Sequence, residues 1–220
     1  MTGTLDKLFT AEDRQRIAAA VREAEVRTSG EIVPYVVAQS DQYEEAEWRA
    51  GFVCGVLAFA GFTVVRSFTV AWVPLDVMEI ALATLGAGAL GMLAVRLLPG
   101  VKRLCAGARM VDQRVGQRAA EAFIREEVFN TRERTGILIF VSLLERRVLV
   151  VGDSGIHAKV KQEDWDGIVR RVVEGITRGK PVEGLVEAIK ACGALLEAHG
   201  VARRRDDRDE LSDSLRVDKD

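Results

Sequence analysis

Two stretches without a single charge govern what this chain can fold into: Ala50 to Val65, AGFVCGVLAFAGFTVV, and Ile80 to Val95, IALATLGAGALGMLAV. Wound as helices, both are apolar on every side. A helix of that kind is buried in protein or in lipid, because it has no face to give to water. A run of this length makes about 24 Å of helix, somewhat less than the roughly 30 Å of a bilayer's hydrocarbon core. The flanks make up the difference. Leu97 and Leu98 continue the second run past Arg96, and Arg49, Arg66 and Arg96 are long enough to snorkel to headgroups. Trp48 and Trp72 fall where an interfacial aromatic belt belongs. The expectation is a transmembrane hairpin over residues 50–98, with helices at about 50–65 and 80–98, in preference to two buried helices of a soluble protein.

Small residues recur every fourth position, Gly51 with Gly55 and Ala83 with Ala87 and Gly91. In lipid such faces let helix backbones approach closely, and here they favour packing within the hairpin over a dimer interface. The connecting loop carries one base, Arg66, and the acids Asp76 and Glu79. The outer flanks carry Arg49, Arg96, Lys102, Arg103, Arg109 and Arg114. That bias places both termini in the cytoplasm of a multi-pass inner- or plasma-membrane protein.

The rest of the composition mainly excludes. A formal net charge of −2 over 220 residues gives no footprint for nucleic acid. Cys54, Cys105 and Cys192 are too scattered for a disulfide framework or a structural zinc site. The opening MTGTLDKLFTAEDRQR is charged, which does not suit a signal peptide.

Outside the hairpin the pattern is α/β. Thr10 and Asp13 form a capping pair for a helix whose buried face is Ile17, Val21 and Ala24, ended by Ser29–Gly30. Glu31 to Val37, EIVPYVV, reads as a strand, with Pro34 favouring an edge position or a bulge. An acidic helix from Asp41 to Arg49 leads into the first apolar run. After Pro99–Gly100 comes one long amphipathic helix along Val101, Leu104, Ala108, Val111, Val115, Ala119 and Ala122. Gly136 to Leu143 reads as a central strand, and Arg147 to Val151 as its antiparallel partner across a Glu145–Arg146 turn. Two helices follow, one through Trp165 to Ile176 and one from Pro181 to Leu196. The strands at 31–37 and 137–143 are joined by a long crossover, so they should run parallel. The expected organisation is therefore one split domain, residues 1–49 and 99–200, with the hairpin spliced between its strands. Residues 201–220 are almost all charge and are expected to be a disordered tail.

These pieces resemble the TPM domain (the TLP18.3/Psb32/MOLO-1 type), and most closely its membrane-embedded subgroup with a transmembrane hairpin after the first strand. The resemblance is carried by RTSGEIVPYVV, by RTGILIFVSLLERRVLVVGDSGIHAKV and by GITRGKPVEGLVEAIKACGALL. It implies a three-layer α/β sandwich with a small mixed sheet. It also implies a range of roles: some members bind divalent metal or show weak acid phosphatase activity, and others assist assembly or repair of membrane complexes. Where many soluble members carry an Asp-Asn-Gly before the central strand, this chain has Arg134–Thr135–Gly136. A base or hydroxyl in place of that carboxylate weakens an enzymatic reading, since phosphoryl transfer needs charge neutralisation and a placed nucleophile.

Gly152–Asp153–Ser154–Gly155 spells the tetrapeptide around a trypsin-like nucleophile, but the helix-rich pattern is wrong for that fold, and a Gly-rich turn accounts for it. The third strand should end at the sheet edge where the first two begin, near Thr28, Ser29 and Thr135. Asp153, His157, Glu163 and Asp164 are the candidates to line an oxygen-rich pocket there for Ca²⁺ or Mg²⁺, set against a plainer role as turn and helix-cap residues. His199 reads as a last-turn cation, Asp41 as a helix cap and Glu79 as interfacial. The functional expectation is a membrane-anchored, non-enzymatic interaction or assembly/quality-control factor. Its partners would be the bilayer and an unidentified membrane protein. The alternative is a divalent-metal-dependent phosphatase of low activity.

Overall fold

A computed structural model describes residues 5, 7–68, 76–203 and 209–218. Trp72 and half of the expected connecting loop lie outside the described residues. The chain divides into two compact units: Asp41–Gln113, and the residues up to Ser40 together with those from Arg114 onward.

The second of these is a mixed α/β unit. Helix α1 (Ala11–Glu25) starts on the expected capping box, with the Thr10 hydroxyl accepting from the Asp13 N–H and the Asp13 carboxylate answering at the Thr10 N–H. Its Ile17, Ala20, Val21 and Ala24 are buried. Strand β1 (Glu31–Val37) pairs in parallel with β2 (Gly136–Ser142) over its full length, Glu31 opposite Gly136 through Val37 opposite Ser142. Strand β3 (Arg147–Gly152) runs antiparallel to β2. The β2–β3 turn holds Arg146 at φ 52°.

The expected tail requires a correction. Arg216–Asp218 forms a fourth strand, β4, parallel to β1, and the sheet order is β3-β2-β1-β4. β4 pairs with Tyr35, Val36 and Val37 only, starting just past Pro34, which has no N–H to give a ladder. Composition suggested disorder because Arg216 and Asp218 are charged; long-range ion pairs, described below, hold them.

Between β3 and the end of the chain come a short α-turn (Ser154–His157), a 3₁₀ turn (Gln162–Trp165) and two longer helices, Asp166–Thr177 and Pro181–Ala198. The sheet's two faces separate by alternation. Ile32, Val36, Ile137, Ile139 and Val141 join α1 and these last helices in one core, where Trp165, Leu185, Ile189 and Leu196 are fully buried. On the opposite face Tyr35 and Phe140 stack, ring centroids 5.8 Å apart. The helix Ala108–Arg125 covers that face, with its Arg125 guanidinium 5.5 Å from the centroid of the Tyr35 ring. The result is the expected sandwich of helix, mixed sheet and helix.

At the far ends of β1 and β2 the buried Glu145 carboxylate accepts from the Ser40 N–H at 2.8 Å and from the Ser142 hydroxyl. The Ser40 hydroxyl donates to Ser142 Oγ at 2.8 Å. This knot fixes the chain one residue before it leaves the unit.

In the other unit, α2 (Glu44–Phe68) and α3 (Val77–Leu97) pack against each other. With 25 and 21 residues, both are longer than the uncharged runs alone. At 1.5 Å per residue they reach about 37 and 32 Å, long enough to cross a bilayer. Only 6% and 11% of their most apolar windows are buried. The glycines among the predicted small residues, Gly51, Gly55 and Gly91, sit in the seam. A Cβ on Gly51 would lie 2.5 Å from Met92 Cγ, and one on Gly91 would lie 2.7 Å from Cys54 Sγ. Asp76 and Glu79 form a capping box for α3, which gives the interfacial Glu79 a local task. Asp41 takes the Gln42 N–H at 2.7 Å, and α2 begins three residues after it.

The single helix expected after Pro99 is two, α4 (Pro99–Ala106) and α5 (Ala108–Arg125). Gly107 breaks them at φ 78°, a conformation open to glycine and costly for other residues. Arg49 takes up freed carbonyls at that break, donating to Cys105 O at 2.9 Å and Ala106 O at 3.3 Å. The remaining helices of the α/β unit are numbered α6 (Ser154–His157), α7 (Asp166–Thr177) and α8 (Pro181–Ala198).

Candidate functional site

Of the four residues expected to hold a cation, Asp153 and Asp164 make local contacts. Asp153 is the N-cap of α6, its Oδ1 accepting from the Ser154 N–H at 2.6 Å. Its Oδ2 lies 2.8 Å from Arg134 Nε, so Arg134 neutralises Asp153. Asp164 accepts from the Lys161 N–H at 2.9 Å and stands 3.5 Å from His199 Nε2, while His199 Nδ1 is 2.9 Å from Leu195 O at the end of α8. His157 and Glu163 are exposed.

Oxygen ligands gather elsewhere. Among the described residues, the ligand atoms of Glu25, Glu31 and Asp209 all lie within 4.8 Å of one another. Glu25 is the last residue of α1, Glu31 the first of β1, and the turn through Thr28–Gly30 brings them face to face. Asp209 comes from the segment leading to β4. With Arg22, Thr28 and Arg203 they line a pocket of about 210 Å³. It opens at the edge where β1 and β2 begin, the edge that the strand directions single out. Glu25 and Glu31 lie far from Asp153 in sequence, and Asp209 arrives on the segment read as tail.

The two glutamates are held by the backbone. Glu25 Oε1 accepts from the Ile32 N–H at 2.7 Å, and Glu31 Oε2 from the Leu211 N–H at 3.2 Å. Even so, burial pushes the Glu25 carboxyl up to about 9, and the charges of Glu31, Asp213 and Asp209 add to the rise. Burial likewise pushes Glu31 up to about 7, and Asp209 is raised by burial and by Asp213. Two buried carboxyls that resist ionisation and a third beside them, all hard oxygen donors, suit a hard divalent cation such as Ca²⁺ or Mg²⁺, whose binding would displace protons from Glu25 and Glu31. The Thr28 hydroxyl is already committed, donating to Val201 O at 2.5 Å. Cys192, deep in the core, has its thiol pushed up to about 12 by burial, which makes it inert.

Fold and pocket together define a mixed α/β domain interrupted by an apolar helical hairpin. No family model matches the chain, and no characterised relative was found. Among solved structures it is similar to the NMR structure of the BA42 protein from the psychrophilic bacterium Bizionia argentinensis, with a TM-score of 0.58 and 21% identity, covering 96% of this chain and 95% of that one. The likeness is one of fold.

Proposed function

We propose that the protein is a TPM-type, membrane-anchored domain that binds other membrane proteins as an assembly or quality-control factor, its hairpin in the bilayer and its α/β unit in the cytoplasm. The observation that carries this reading is the splice: two helices of spanning length, apolar on almost every exposed side, interrupt a domain whose first two strands still pair along their full length. An anchor joined twice to one domain restrains it at the membrane surface, where membrane-protein partners are met. Crosslinking in membranes at native expression, then purification in mild detergent, should recover membrane proteins in stoichiometric amounts. Recovery of the protein alone would overturn the reading.

A second reading, a divalent-metal-dependent phosphatase, is favoured by the Glu25–Glu31–Asp209 cluster. A cation held there would supply charge neutralisation for a phosphoryl group and an acidified water. The engaged Thr28 leaves water as the nucleophile. This reading requires Ca²⁺, Mg²⁺ or Mn²⁺ to raise the melting temperature and to support hydrolysis of p-nitrophenyl phosphate, with both effects lost in Glu31→Gln. Wild-type protein indifferent to all three ions would dispose of it.

A further inference from the structure

The outer side of β1 carries a built anchor for a carboxylate. Asp218 Oδ2 accepts three donors at once: the Tyr35 hydroxyl at 2.6 Å, Arg118 Nη2 at 2.8 Å and Arg125 Nη2 at 2.5 Å. The three come from β1 and two turns of α5, while Asp218 comes from a segment 93 to 183 residues away in sequence. Two guanidiniums and a phenol on one buried oxygen make a charge-assisted site of the kind used to recognise acidic groups.

The rest of the segment reads the edge by strand alternation. Leu215 and Val217 turn into the apolar core, while Arg216 faces the other way and pairs with Glu126 at 3.2 Å. The hydrogen-bonded part is only three residues long, and among the described residues β1 from Glu31 to Pro34 has no partner strand on that side. A short strand with one strong side-chain anchor is how peptides are added to sheet edges: backbone bonds supply affinity, and alternate side chains supply selectivity.

We propose that this edge of β1 is a docking site for an extended, acid-bearing segment of a membrane-protein partner, and that residues 209–218 occupy it in cis as a displaceable strap. The ligand chemistry is specific: two apolar residues spaced two apart, followed directly by an aspartate or glutamate that reaches Tyr35, Arg118 and Arg125. The cis segment is tethered to α8 and so competes at high effective concentration, which lowers the apparent affinity of any partner until the strap lets go. The proposal rests on the interaction reading and not on the cation cluster.

The probe is a fluorescent peptide with the sequence of residues 209–218, DELSDSLRVD, added to the full-length protein in detergent. Asp218→Asn in the protein should raise amide exchange at Tyr35–Val37 and strengthen peptide binding by about ten-fold or more over wild type. A peptide ending in Asn should bind the same variant at least about ten-fold more weakly, and adding both Arg118→Ala and Arg125→Ala to the protein should remove the preference. The proposal falls if exchange does not rise in Asp218→Asn, or if the exposed edge takes up neither peptide. It falls equally if the wild-type protein exchanges its last strand with a second copy to form a stable dimer. Peptide binding with no membrane partner recovered by crosslinking would sustain this edge and count against the wider reading; the reverse pattern would do the opposite.

Discussion

Replacing Glu25 by Gln should make the protein more stable, and only at high pH. The carboxyl has an ordinary value of 4.5 and is pushed up to about 9 in the folded unit, burial first. Between those values the folded chain holds a proton that the unfolded chain has released, so stability falls as pH rises from about 4.5 to about 9. At pH 8 the interval is about 3.5, worth about 5 kcal/mol if fully realised. The pocket is open to water and Glu25 is half-buried, which more than halves that figure, to about 2 kcal/mol. Gln cannot ionise, and its Oε1 can still accept from the Ile32 N–H. Glu25→Gln should therefore melt about 4–8 °C above wild type at pH 8 and within a degree or so of it at pH 5. Thermal unfolding of the full-length protein in detergent and chelator reads both. Adding Ca²⁺ or Mg²⁺ at pH 8 should raise wild type toward the variant and leave the variant unmoved, because binding requires the carboxylates deprotonated. A variant less stable than wild type at both pH values would refute the reasoning.

Other substitutions probe other parts. Gly136→Ala would put a Cβ 1.8 Å from Val128 O, and should cost more than about 3 kcal/mol, read as failure to accumulate folded protein. Gly91→Leu drives a side chain into Cys54 and should lower the melting temperature by several degrees, whereas Gly86→Leu, with nothing within 4 Å, should not; equal effects would mean the helices do not pack along that seam. Glu145→Ala strands the Ser40 N–H and the Ser142 hydroxyl and should cost about 2–3 kcal/mol in chemical unfolding. Asp153→Asn removes Arg134's partner and should leave any cation-induced stabilisation intact, while Glu31→Gln abolishes it; the opposite pattern would return the site to the residues the sequence suggested.

The main strands were legible because β1 and β2 are almost wholly apolar and branched, and because β-pairing of distant runs leaves few options for their direction. Helix α1 was legible from its cap and its spacing. What escaped was decided by contacts between distant residues. Nothing local marks Arg216–Asp218 as a strand; its anchors, Tyr35, Arg118 and Arg125, lie far upstream, and its charge argued for disorder. The break at Gly107 was hidden by an amphipathic pattern that continues across it, although the glycine itself was the available signal. An acidic pocket was expected at the sheet edge where β1 and β2 begin, and the Glu25–Glu31–Asp209 cluster lies at that edge with other residues. Glu25 and Glu31 flank the turn before β1, and two acids abutting buried elements were the clue; Asp209 needed the fold. Arg134 was read as a lost ligand, and the structure adds that it also engages Asp153.

The most direct measurement is side-specific labelling of single cysteines in intact membranes. A cysteine at Asp76, at the start of α3, should react with an impermeant maleimide added from outside, while one at Glu12, on the exposed side of α1, should react only after the membrane is opened. Equal access at both sites, or protein that leaves the membrane in alkaline carbonate, would contradict a cytoplasmic domain interrupted by a bilayer-spanning hairpin.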